Sequence, residues 1–183
     1  MFFHSELMHV NSEQSRNKVL LILRHAKSSW KNKKVIDHDR PLNKRGRKEA
    51  IKMGEYLKNI DLMPDTIITS SALRAIETTT LVCRKSGYNG LVEVNFSFHE
   101  GNTTSYIQAI SNSHEDKDRL LIVGHNPTLE ELISMLTNKT VRLPTCTLVQ
   151  IKLNVTSWNN VIHHSKLKPE VAHIWRRKKV KEE

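Results

Sequence analysis

Four side chains of a kind that handles phosphoryl groups are scattered along this sequence. Arg24 and His25 stand together where the apolar run "KVLLIL" ends, Arg74 follows "DTIITSSAL", and His125 follows "RLLIVG". Guanidinium forks match phosphoryl oxygens in charge and geometry, and helix N-termini add positive potential. Taken singly, each residue has an ordinary explanation: an arginine at a strand end is usually solvated or ion-paired, and a lone histidine is usually incidental. A shared location would change that, so the question is which elements position them.

Continuous apolar runs at 18–23, 65–69, 91–96 and 119–124 read as strands covered by helices on both faces of a parallel sheet. Between them lie helical patterns. Asn43 can cap a helix running to about Asn59, with Ala50, Met53, Gly54 and Leu57 on one face. Ser71 can cap a second that stops at Gly87. "TTSYIQAIS" (103–111) is a shorter third, and Asn126-Pro127 signals a fourth, with Asn126 as cap, Pro127 at the first helical position and Glu130 and Glu131 near the positive first turn. "CTLVQIKL" (146–153) alternates and "WNNVIHH" (158–164) follows a polar turn, which predicts an antiparallel pair extending the sheet.

The βαβ order predicts an α/β domain of three αβα layers around a mostly parallel sheet, with ligands at the carboxyl ends of the strands. Arg24-His25, Arg74 and His125 all fall at such ends, so one crevice can hold two arginines, two histidines and two helix starts. The expected organisation is a flexible extension over 1–17, the domain over 18–166 and a basic tail over 167–183.

The 183 residues suit one domain with an ordinary core. Lys and Arg number 29 against 19 Asp and Glu, a formal charge of +10, which favours anionic partners. Much of the excess lies in "KSSWKNKK", "NKRGRK" and the tail "WRRKKVK". Cys83 and Cys146 are too few and too widely spaced for a disulfide framework or a zinc site. No window approaches the roughly 18 apolar residues of a membrane span, and the N-terminus lacks a charged region followed by an apolar core. A cytoplasmic protein with no membrane partner is the expectation.

At this point the sequence resembles the histidine phosphatase superfamily, whose fold is phosphoglycerate mutase-like, in its small phosphohistidine phosphatase (SixA-like) branch. The resemblance covers about residues 18–153 and rests on five motifs in order: "LILRHAKSSW", "DRPLNKRGRKEA", "PDTIITSSALRAIETT", "LLIVGHNPTLEEL" and "LPTCTLVQIKL". Ala26 stands where the wider superfamily usually has glycine.

The resemblance implies that His25 is the nucleophile that takes the phosphoryl group, and that Arg24, Arg74 and His125 bind its oxygens. The residue types agree, because a nucleophilic imidazole must be neutral and cationic neighbours disfavour its charged form. The same cations stabilise a phosphoryl group in flight, so neither a metal nor another cofactor is expected. Ser28 is a candidate donor to a phosphate oxygen or else a turn former. Arg40, in the family-like "RPL", lines the pocket entrance or is merely solvated.

Phosphoester phosphatases of the superfamily protonate the leaving alkoxide with a carboxylic acid. The candidate in this chain is Glu100 in "FHEGNTTSY", with His99 as an equal rival. A labile phosphohistidine P–N bond depends less on such an acid, and no long insertion walls off a selective pocket. The leading expectation is therefore a metal-independent phosphatase acting on phosphohistidine in a protein. A phosphatase of small phosphate esters and, behind it, a mutase keep the same pocket. A basic polyanion-binding protein is the non-enzyme alternative, but nucleic acid is an improbable partner without an aromatic platform or recognition helix. The oligomeric state is open.

Overall fold

The structure, a computed structural model, describes residues 17–32 and 34–176. The extension expected over 1–17 therefore lies outside the described residues except for Asn17, as do residues 177–183 of the expected tail.

Six strands form one sheet: β1 (Val19–Arg24), β2 (Thr66–Ser70), β3 (Leu91–Asn95), β4 (Arg119–Gly124), β5 (Leu148–Lys152) and β6 (Glu170–Trp175), in the order β3-β2-β4-β1-β5-β6. The first four are parallel, while β5 and β6 run antiparallel to their neighbours. The helices are α1 (Lys44–Asn59), α2 (Leu73–Ser86), the single turn α3 (Ser97–Glu100), α4 (Thr103–Ser111) and α5 (Thr128–Thr137).

The apolar runs are continuous because both faces of the central strands are covered. Leu20 and Ile22 of β1 join a core with Ile107 and Ile110 of α4 and Leu132 and Ile133 of α5. Their neighbours Leu21 and Leu23 join a second core with Ala50, Met53 and Leu57 of α1 and Val82 of α2. Side chains alternate across a strand, so successive residues serve opposite layers. The expected αβα architecture is thus the observed one.

Four expectations need correction. β3 is not covered on both faces: it forms the sheet edge, and Leu91, Val92 and Val94 are exposed. "WNNVIHH" is a 3-10 segment within Trp158–Lys166, not a strand, because Trp158 and Val161 are buried at the three-residue spacing of that helix. The second antiparallel strand is instead β6, inside the segment expected to be tail, which carries the sheet past residue 166. Neither Ser71 nor Asn126 caps a helix; the caps are Ala72 and Pro127, with no side-chain bond, so Pro127 stands just before the first helical residue. Asn43 does cap α1, accepting from the Gly46 amide.

Candidate active site

The first wall is the end of β1. The His25 amide donates to the Gly124 carbonyl of β4, and the Cys146 amide donates to the carbonyls of Arg24 and His25, which fixes the strand end between its neighbours. The buried Ala26 donates its amide to the Thr78 hydroxyl, which in turn donates to the Arg74 carbonyl. The loop after β1 and the arginine-bearing first turn of α2 are therefore tied together. Beyond it, the Asn43 amide donates to the Lys27 carbonyl, and Gly46 packs against the Lys27 backbone so closely that a Cβ would overlap it.

Arg24 and Arg74 are fastened by one side of each guanidinium. Arg24 Nη1 donates to the Leu143 carbonyl at 2.6 Å. Glu130 organises that contact by accepting from the Leu143 amide and from Asn126 Nδ2. Asn126 thus ties the loop before α5 to Leu143. Arg74 donates from Nη1 to the Asp37 carbonyl at 2.6 Å and from Nη2 to Asp37 Oδ2 at 2.9 Å. Arg40 donates from Nε to Asp37 Oδ1 at 2.9 Å, and its guanidinium lies 3.4 Å from the ring centre of the exposed Trp30. Arg40 is buried rather than solvated.

Four imidazoles run in file beside these arginines. The His25 and His125 ring centres are 5.1 Å apart, those of His125 and His99 5.8 Å, and those of His99 and His38 5.0 Å. His25 Nδ1 lies 2.8 Å from the Ala26 carbonyl oxygen, which only accepts, so Nδ1 carries the proton and neutral His25 keeps its lone pair on Nε2. His125 Nε2 lies 2.8 Å from Ser70 Oγ at the end of β2. Burial, with the charges of Arg74, Arg24 and Arg40, pushes His25 down to about 3, although the Ala26 bond works the other way. Burial, then His25, Arg74, His99 and Arg24, pushes His125 down to about 2. Both rings are neutral at pH 7.

Arg24 Nε, Arg40 Nη1, Arg74 Nε, His125 Nδ1 and His99 Nδ1 are buried and have no partner among the described residues. The three guanidinium nitrogens can only donate, and a buried donor without an acceptor costs about 1–3 kcal/mol, so their concentration within one site marks a place suited to an anion. A phosphoryl group offers several acceptor oxygens and the matching charge. No group of three or more His, Cys, Asp or Glu side chains among the described residues is placed to hold a metal ion.

The structure thus gathers Arg24, His25, Arg40, Arg74 and His125. Ser28 is buried nearby, but its described contacts are backbone ones: a bridge to Leu42 and a carbonyl that accepts from Asn43. Glu100 is exposed and has no hydrogen-bond or ion-pair partner among the described residues, whereas its neighbour His99 packs against His125. Asp37, His38 and Ser70 were not singled out from sequence. Asp37 could have been, since it stands three residues before Arg40 in "DHDR" and pairs with it.

Together the parallel sheet and the arginine-histidine cluster at its strand ends define a phosphoryl-transfer enzyme. Residues 20–110 match the model of the histidine phosphatase superfamily, branch 1. An uncharacterised chloroplastic protein of Arabidopsis thaliana is 33% identical over 150 residues, which cover 76% of this chain and 68% of that one. The chain belongs to the histidine phosphatase superfamily and is a phosphatase of that class. A 2,3-bisphosphoglycerate-dependent phosphoglycerate mutase of Streptomyces avermitilis is 44% identical over only 64 residues, 34% of this chain and 25% of the mutase. The fold is also that of an Agrobacterium tumefaciens structure described as a candidate phosphohistidine phosphatase SixA, with a TM-score of 0.75 and 21% identity over 88% of this chain and 99% of that one.

Proposed function

We propose that this protein belongs to the SixA-like branch and removes the phosphoryl group from phosphohistidine in a protein, without a metal, through a covalent phospho-His25. The observation that carries the reading is the His25–Ala26 contact: it leaves a neutral imidazole with its lone pair on Nε2, beside three arginines with buried N–H groups unmatched. In the first step Nε2 bonds to phosphorus while the P–N bond to the substrate imidazole breaks. In the second, water attacks the phospho-His25 phosphorus, releases phosphate and returns the electron pair to Nε2. Arg24, Arg40, Arg74 and His125 hold the phosphoryl oxygens throughout.

The leaving nitrogen needs a proton, and His99 is the donor we favour over Glu100. His99 lies in the file of rings behind His125; burial, then the charges of Arg74 and His38, hold it below the ordinary imidazole range, and a bound dianion would act against them in favour of its protonated form. Preference for a protein substrate is supported by the fold neighbour's described activity and by the open rim at Trp30, which is 68% exposed. The two free thiols, Cys83 and Cys146, suit a reducing compartment such as the cytoplasm. No helix among the described residues is long and apolar enough to cross a membrane. A panel of phosphohistidine protein, sugar phosphates and nucleotides tests the reading: kcat/KM should be highest for phosphohistidine, and equal or faster turnover of the small esters would overturn it.

A further inference from the structure

Arg74 and Arg40 are both buried, and the charge of Arg40 lies close enough to disfavour that of Arg74. Two guanidinium ions in one wall repel, and that repulsion is strong where solvent is scarce. Asp37 is what stands against both. Its Oδ2 accepts from Arg74 Nη2, its Oδ1 accepts from Arg40 Nε, each at 2.9 Å, and its backbone carbonyl accepts from Arg74 Nη1. Each carboxylate oxygen therefore serves one arginine, and the backbone of the same residue grips Arg74 a second time. Arg74 Nε and Arg40 Nη1 are left without partners.

We propose that Asp37 is a positioning residue for phosphoryl binding: a carboxylate bracket that holds Arg74 and Arg40 side by side with their free N–H groups available to the ligand. The inference rests on reading the pocket as a phosphoryl site. The bracket sits at the edge of the site, since the Asp37 side chain is half exposed, and it stays ionised. Burial works to raise its carboxyl, but the charges and hydrogen bonds of Arg74 and Arg40 prevail and hold it below the usual carboxylate range. The 3-10 turn of Asp37–Asp39 is followed directly by Arg40, whose amide donates to the Asp37 carbonyl, so the backbone also ties the two residues.

The sign of the effect separates this role from simple electrostatics. Removing a negative charge beside an anion site should tighten anion binding if charge alone matters. A lost bracket should weaken it, because the two arginines move apart. The experiment is calorimetric binding of inorganic phosphate to the full chain, its Asp37→Asn and Asp37→Ala variants, and an Arg74→Ala control, with circular dichroism to establish that each is folded. The bracket predicts about tenfold weaker phosphate binding for Asp37→Ala, and an intermediate value for Asp37→Asn, which keeps one acceptor oxygen. Unchanged or tighter binding in both Asp37 variants, with Arg74→Ala impaired, would overturn the bracket and leave the phosphoryl site standing. Phosphate failing to bind the parent protein would overturn the site and the bracket together.

Discussion

Nδ1 of His25 lies 2.8 Å from the carbonyl oxygen of Ala26, its immediate neighbour in the chain. A carbonyl cannot donate, so this one contact fixes which nitrogen of the neutral ring bears hydrogen and which bears the lone pair. A contact between adjacent residues thereby leaves Nε2 as the ring nitrogen with a lone pair to give. The small, fully buried Ala26 lets its own backbone reach Thr78 on α2 at the same time.

The histidines give stability a defined pH dependence. His25 and His125 are held at about 3 and about 2 in the folded protein, against 6.5 in the unfolded chain. Above pH 6.5 both states are neutral and neither ring matters. As pH falls below 6.5 the unfolded chain takes up protons that the folded one refuses, so stability declines. Each ring should cost about 1 kcal/mol between pH 6.5 and 5.5. Urea unfolding at the two values checks this, and His25→Asn should flatten the dependence by one ring's share; an unchanged slope would contradict it.

Arg74 should matter far more to turnover than to folding. In the proposed mechanism its unpartnered Nε–H meets developing charge, and losing one such donor typically costs 10²–10³ in kcat. Arg74→Ala should lose at least about that much with an aryl phosphate, while a circular dichroism spectrum should match the parent's. A loss below tenfold would remove Arg74 from the phosphoryl-binding group.

His99 should be felt according to the leaving group. Proton donation is worth roughly 10²–10⁴ to a poor leaving group and less to a good one. His99→Ala should slow an alkyl phosphate by at least about a hundredfold and an activated aryl phosphate by under tenfold, whereas Glu100→Gln should leave both within a few fold. The reverse ranking would make Glu100 the acid.

Gly46 should tolerate no side chain. Its approach to the Lys27 backbone seats α1 against the loop after β1, and a Cβ there would overlap main-chain atoms. Gly46→Ala should destabilise by about 1–3 kcal/mol, although an unstrained helix position would gain about 1 kcal/mol from the same change. A urea midpoint equal to or above the parent's would contradict the close packing.

Much of this was readable in the residues. The apolar runs place Arg24, His25, Arg74 and His125 at carboxyl ends of strands because buried strands need continuous apolar sequence, and that periodicity is local information. What lay beyond local pattern was side-chain partnership. Glu100 looked suitable because carboxyl chemistry fits the task, but the turn of α3 exposes it and turns its neighbour His99 toward His125. Asn126 has the composition of a helix cap, yet Glu130 and Leu143, distant in sequence or a turn away, claim its amide. β6 was obscured by the basic residues that follow it, since its partly exposed edge position leaves only a weak apolar signal.

The proposed mechanism turns on passage of the phosphoryl group through His25. Rapid quenching during turnover of a phosphohistidine protein, followed by intact-mass and peptide analysis, tests it most directly. An acid-labile adduct of one phosphoryl group on His25 is expected, absent in His25→Ala along with hydrolysis of both phosphohistidine and aryl phosphate. Turnover retained by His25→Ala, or an adduct on another residue, would contradict it.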